Sequence, residues 1–200
     1  VGRRQRQMCI RDSPWGEGAR QLQGRIRFLR RLGAGAEAWP EVSDEALLQD
    51  LERFLKPRIR GMRRLAEISP RLLEEALHAL LSPSQARLLD TWAPPAIRLP
   101  NGTRVRVDYG GEAPAVSARL QEVFGCRDTP RIAGGRVPLT IRLLSPAGRP
   151  VQVTADLAGF WRGSYREVRK ELRGRYPKHP LSLIHISEPT RLLSISYAVF

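Results

Sequence analysis

The chain is 200 residues long and carries 34 Lys and Arg against 20 Asp and Glu, a net charge of +14 at pH 7. Such a balance attracts polyanions, usually nucleic acid, although an acidic protein surface would also serve and codon bias in GC-rich genomes contributes arginine as well. With only 2 cysteines, one of them (Cys9) in an atypical N-terminal stretch, an internal disulfide framework and a cysteine zinc site are excluded, a reducing cytoplasm fits, and no apolar run reaches membrane-spanning length.

The two ends differ from the body. Arg4–Ser13 and Ser182–Phe200 resemble translated sequencing-adapter sequence, so roughly 1–13 and 182–200 are expected to lie outside the genuine protein. The start lacks the apolar core of a signal peptide, and the tail is too short and polar to span a bilayer. Five basic and two acidic residues lie in those ends, which leaves 29 against 18 and a net charge of +11 for 14–181.

Along the body, Leu22, Ile26 and Leu29 recur at helical spacing until Gly33 and Gly35 end the pattern, so 14–38 reads as the end of a preceding helical domain with its linker. A helical segment over 39–95 follows. Ser43 caps a helix with Asp44 and Glu45 in its first turn and Leu47, Leu48, Leu51, Phe54 and Leu55 inward, stopped by Pro57. Ser69–Pro70 opens a second helix and Ser82–Pro83 a third, with Gln85 placed for a capping box. Pro94–Pro95 marks the change to β structure in a module spanning 96–181. Ile97, Leu99, Val105, Val107 and Tyr109 alternate about Pro100–Asn101–Gly102, the pattern of a hairpin. Ala115–Phe124 reads as a helix, Val137–Leu144 and Val151–Thr154 as a second hairpin, Asp156–Trp161 as a short helix. A final helix starts at Ser164, with Glu167 placed to complete a capping box, and ends at Gly174. The expected fold is α+β: an N-terminal helical bundle followed by a small, mainly antiparallel hairpin-built sheet with packed helices. An OB-like barrel is the lesser alternative.

Three basic groups are candidate nucleic-acid contacts. In the last helix, Arg166, Arg169, Lys170 and Arg173 fall at i, i+3, i+4 and i+7 on one face, with Arg175 and Lys178 following; Val168 and Leu172 lie on another face. Placing like charges side by side costs a few tenths of a kcal/mol per pair, which points to a negative partner, although an internal Asp or Glu could serve. Trp161 and Tyr165 could stack on bases or belong to the core. Arg131 and Arg136 flank a Gly134–Gly135 loop that either receives an anion or simply makes a tight connection; it lacks the Lys and Ser/Thr of a P-loop. Arg104 and Arg106, with Arg98, face outward from the first hairpin, either along a phosphate backbone or into solvent. No paired-His metal spacing, nucleophile elbow or P-loop is present; Asp108, Glu112 and Glu122 with a nearby Arg could be assembled into a nuclease-like constellation, but any arginine-rich domain offers such sets.

The segments PNGTRVRVDY, RLQEVFG, TPRIAGGR, LLSPAGRPVQVT, DLAGFW and RYPKHP together resemble the C-terminal module of the bacterial HrpB-type ATP-dependent helicases, of the DEAH/RHA group of superfamily 2. The resemblance covers most of 39–180, with a weaker pattern before the hairpin, and departs after Pro180, where Leu181 replaces the family's tryptophan. It implies a cytoplasmic accessory region following two RecA-like motor lobes that bind ATP and Mg²⁺. None of the motor motifs occurs here, so no cofactor and no catalytic or metal-ligating residue is expected in this chain, which should not hydrolyse ATP alone. The implied partners are nucleic acid, RNA more than DNA, and the motor lobes of the same polypeptide, with no membrane. The competing readings are a docking module that stiffens the motor without touching nucleic acid, and a stand-alone basic binding protein.

Overall fold

The structure, a computed structural model, describes residues 15–50, 54–56 and 69–176. Its first helix, α1 (Glu17–Leu32), follows directly from the pattern above: Ala19, Leu22, Ile26 and Leu29 form one buried stripe. Gly33 ends it in the left-handed region at φ 62°, its amide and that of Ala34 closing on the carbonyls of Arg30 and Leu29. The helix is integral to the molecule's core. Gln21 donates to the carbonyls of Pro95 and Val107, and Phe28 packs on Tyr109 with ring centroids 5.4 Å apart.

Helices α2 (Asp44–Gln49), α3 (Pro70–His78) and α4 (Pro83–Trp92) start where their serines allow. Ser43, Ser69 and Ser82 accept from Ala46, Leu72 and Gln85 amides, and Gln85 completes a capping box with Ser82. The far end of α4 is closed from outside. Arg25, buried in α1, donates Nε to the carbonyl of Ala93 at 2.5 Å and its terminal nitrogen to Leu89 at 3.2 Å and to Asp90 at 2.7 Å. The guanidinium thus supplies a partner to the Ala93 carbonyl past the helix end and a second donor to the Leu89 carbonyl, which already accepts from the Ala93 amide. The helix that Ser43 opens closes at Gln49 with Asp50 as its C-cap, short of the Phe54–Leu55 end read from sequence, while Leu51 and Pro57 lie outside the described residues.

The five-stranded sheet has the order β1-β2-β3-β6-β7, from β1 (Ala96–Arg98), β2 (Arg104–Asp108), β3 (Ala115–Arg119), β6 (Thr140–Leu144) and β7 (Pro150–Thr154). β4 (Arg131–Ile132) and β5 (Val137–Pro138) make a separate two-stranded hairpin. The α+β class is as read from sequence, and three of the four pairings in the main sheet are antiparallel, but β3 and β6 run parallel, with Val116 opposite Ile141. The sheet stays open, since β1 and β7 stand at opposite edges rather than pairing to close an OB-like barrel.

That parallel pair corrects the reading of 115–124 as a helix. Ala115–Arg119 is a strand, and only Leu120–Val123 coils, as a single 3-10 turn. Val116, Leu120, Val123 and Phe124 do fall at helical spacing, but Val116, Ala118 and Leu120 also fit a period of two, and a short run cannot separate the two. Position decided it. Between β2 and β6 the segment gains hydrogen bonds on both edges, and Val116 becomes fully buried.

The inner face of the sheet (Val105, Val107, Val116, Ala118, Ile141, Leu143) packs in one continuous core with the helices. From the other end of the chain, α5 (Leu157–Arg162) and α6 (Tyr165–Arg175) contribute Leu157, Phe160, Tyr165 and Leu172. Burying one such large side chain is worth about 1.5–3 kcal/mol. Asp156 caps α5 through the Gly159 amide, but the expected Ser164–Glu167 box is not made. Ser164 lies in helical backbone conformation straight after Gly163, and its hydroxyl instead accepts from Gln152 on β7.

Candidate nucleic-acid interface

Helix α6 is anchored by its apolar side. Phe124, Phe160, Trp161 and Tyr165 form an aromatic cluster with centroid separations of 5.0–6.3 Å, and Trp161 Nε1 donates to the carbonyl of Cys126 at 2.8 Å. Of the two readings of these aromatics, the core one holds. Burial raises the Tyr165 phenol above its ordinary value, only partly opposed by Arg169, and burial likewise pushes the Cys126 thiol up, which keeps it protonated and unreactive.

Anchoring that side fixes the opposite one. Arg166, Lys170 and Arg173 stand exposed along one line of the helix and make no ion pair or hydrogen bond with the described residues. Arg169 sits at the edge of this row, half-buried, with its Nε buried and unpartnered. Arg175 belongs to a different face, where Glu171 neutralises it at 3.3 Å. Lys178 lies outside the described residues.

The glycine loop between β4 and β5 is organised inward. Ala133, Gly134 and Gly135 take φ of 55°, 65° and 83°, a run of left-handed residues that suits glycine. The Ala133 amide goes to the carbonyl of Trp92, and the amides of Gly135 and Arg136 close on Ile132 and Ala133. Arg131 donates to the carbonyls of Gly135 and Arg136, and Arg136 stacks over Trp92 at 4.8 Å. The arginines staple a tight connection, and the amides of Ala133, Gly135 and Arg136 are spent on backbone carbonyls.

On the first hairpin, Arg104, Arg106 and Asp108 face away from the core while Val105 and Val107 face into it. Arg106 is engaged by Glu17, which offers it both carboxylate and carbonyl. Asp108 is engaged by Arg142 at 2.7 Å and by the Gly110 amide; burial works to raise its carboxyl, but these bonds and the adjacent guanidiniums hold it below the ordinary range. Arg98 and Arg104, directly opposite each other, make no such contact with the described residues. Sequence reading singled out neither Arg127 nor Arg162, both exposed. Nothing local marks them, because their segments meet only in the fold, through the Trp161–Cys126 bond and the Phe124–Trp161 ring contact among others.

Among the described residues, no group of three His, Cys, Asp or Glu could hold a metal ion, and no helix is long and apolar enough to cross a membrane. A cleft of about 700 Å³ in the helical half is lined by Pro40, Leu47, Phe54 and Ala76, with Glu41 and Asp50 at its wall.

The family model described as ATP-dependent helicase C-terminal matches residues 54–182. The chain is 46% identical over 142 residues to the ATP-dependent RNA helicase HrpB of Escherichia coli (strain K12), covering 70% of this chain and 18% of that protein. Two solved structures share its fold. The crystal structure of the E. coli DExH-box NTPase HrpB superposes with a TM-score of 0.74 at 42% identity, covering 82% of this chain and 20% of the other. That of the Escherichia coli DEAH/RHA helicase HrpB gives 0.66 at 40% identity, covering 83% and 21%. The chain therefore spans about a fifth of the length of the relatives it matches.

Proposed function

Because this chain belongs to the HrpB family of ATP-dependent helicases, whose C-terminal region it matches, we propose that its sheet-and-helix half presents a nucleic-acid-facing surface that guides or retains a strand leaving the helicase motor. The observation that carries this reading is the exposed row Arg166, Lys170 and Arg173, three like charges held side by side, none of them in an ion pair with the described residues. The two lobes of the motor, with their ATP and Mg²⁺, are assigned to the remainder of a longer helicase polypeptide and are this module's intramolecular partner. RNA is the preferred strand, since an E. coli relative is named as an RNA helicase. The compartment is the cytoplasm.

The test is fluorescence anisotropy of a labelled 20-nucleotide oligouridylate titrated with the chain across a salt series. Binding at low salt with steep salt dependence is expected, because each neutralised phosphate contributes about −0.7 to the slope of log K against log salt. Reversing Arg166, Lys170 and Arg173 to Glu should abolish most of the binding while leaving the melting temperature unchanged or slightly raised. Absence of binding at low salt, or normal binding by the triple variant, would overturn the reading. A stable complex with separately purified motor lobes, without affinity for RNA, would establish docking instead.

A further inference from the structure

The hairpin of β1 and β2 carries a second feature that the α6 row does not explain. Leu99 donates to the carbonyl of Thr103, and Val107 to that of Pro95. Hydrogen-bonded pairs alternate along an antiparallel ladder, so Ile97 and Val105 form the next such pair, and Arg98 and Arg104 occupy the non-hydrogen-bonded site between. In such a site the Cα atoms are only about 4.5 Å apart and the side chains stand closest. Two cations directly opposite in that arrangement repel each other, and neither makes an ion pair with the described residues. Glu17 is taken by Arg106, Asp108 by Arg142 and the Gly110 amide, and Glu122 by the Arg119 amide.

We infer that Arg98 and Arg104 form a phosphodiester clamp: two guanidiniums, held a strand spacing apart at the tip of the hairpin, that take one phosphate of a single-stranded nucleic acid between them. Arginine suits this role because its planar fork pairs with phosphate oxygens in two parallel hydrogen bonds. The hairpin tip is also structurally joined to the base of α6. Pro100 closes on Gly125, where an added Cβ would lie 3.7 Å from its side chain, and the neighbouring Cys126 carbonyl holds Trp161. Exposed Arg127 and Arg162 lie along that connection, and the first residue of the α6 row, Arg166, follows four residues on, at the start of the next helix. The clamp thus deepens the proposed function, on which it rests, by adding an entry point for the strand beyond the helix.

Salt-dependent anisotropy on the intact chain, with labelled oligo-rU and oligo-dT of 20 nucleotides as probes, distinguishes the possibilities when Arg104→Glu and the double change Arg98→Ala/Arg104→Ala are compared with the α6 triple variant. For the double change, the slope of log K against log salt should become shallower by about 0.7, the share of a single neutralised phosphate, with a several-fold drop in affinity at low salt. Arg104→Glu should weaken binding at least as much while holding or raising the melting temperature, because it converts the repelling pair into an attracting one. A purely structural role predicts the opposite, a lower melting temperature with unaltered binding. Equal losses on rU and dT mark recognition of the backbone, and a loss confined to rU marks recognition of the ribose. If the α6 triple variant loses binding while both hairpin variants match the parent in affinity and slope, the clamp is wrong and the broader function stands. If the unmodified chain binds neither probe, both fail.

Discussion

Residues 14–95 and 96–181 hold similar numbers of basic residues, 13 and 16 Lys and Arg, but 11 and 7 Asp and Glu respectively. Codon bias raises arginine in both halves alike, so what separates them is the scarcity of acid in the second. The consequence is visible pair by pair. In the helical half Arg20 pairs with Asp44, Arg25 with Asp90, Arg30 with Glu41 and Arg71 with Glu75. In the sheet half Arg106 must borrow Glu17 from the helical half, and Arg98, Arg104, Arg127, Arg162, Arg166, Lys170 and Arg173 make no ion pair with the described residues. One core runs through both halves, so the difference is one of surface and not of fold. Among the described residues, these paired arginines of the first half serve as structural parts, and the seven unpaired cations of the second are available.

The strongest way to break that comparison is at Arg25. If helical-half arginines are structural, Arg25→Ala should cost about 3 kcal/mol in chemical denaturation, since it strips a buried donor from the α4 C-terminus, while leaving RNA affinity unaltered. In the other half, Arg166→Glu/Lys170→Glu/Arg173→Glu should do the reverse, with at least a tenfold loss of RNA affinity and a salt slope shallower by about 2, at unchanged stability. An intermediate case is the stapled loop. Gly134→Ala places a Cβ 3.7 Å from the Trp92 ring at a φ of 65°, and should lower stability by about 1 kcal/mol without altering binding, which would separate Arg131 and Arg136 from the free cations.

Acid titration should produce the smallest effect. Burial works to raise the Asp44 carboxyl, but hydrogen bonds from Gln23 and Arg20 and the charges around it hold it below its ordinary value. A carboxyl depressed in the folded state contributes stability above its unfolded pKa of about 3.9, and that contribution fades as pH falls through the folded value. Asp44→Asn should therefore melt lower than the parent at pH 7, with the gap narrowing in thermal scans taken below about pH 4. A gap that persists unchanged in acid would mean that the ion pair is not its source.

Much of the architecture was legible from the chain alone because its causes are local. Ser43, Ser69 and Ser82 mark helix starts by what a hydroxyl can accept, Gly33 marks an end by what a residue without a Cβ can adopt, and the alternation across Val105 and Val107 assigns Arg104 and Arg106 to the outer face before any partner is known. The spacing of Arg166, Lys170 and Arg173 likewise sets them in line on any helix that buries Val168 and Leu172. Tertiary structure decided the rest, because the deciding atoms come from remote segments. Ala115–Arg119 became a strand through ladders supplied by β2 and β6, and Ser164 lost its cap to Gln152. Above all, which arginines remain available depends on where carboxylates 30 to 90 positions away arrive: Glu17 removes Arg106 at a separation of 89 and Asp108 removes Arg142 at 34, while nothing comparable reaches Arg98 or Arg104 among the described residues. Charge is written in the sequence, but its neutralisation is a matter of distance, and distance is set only when the core closes.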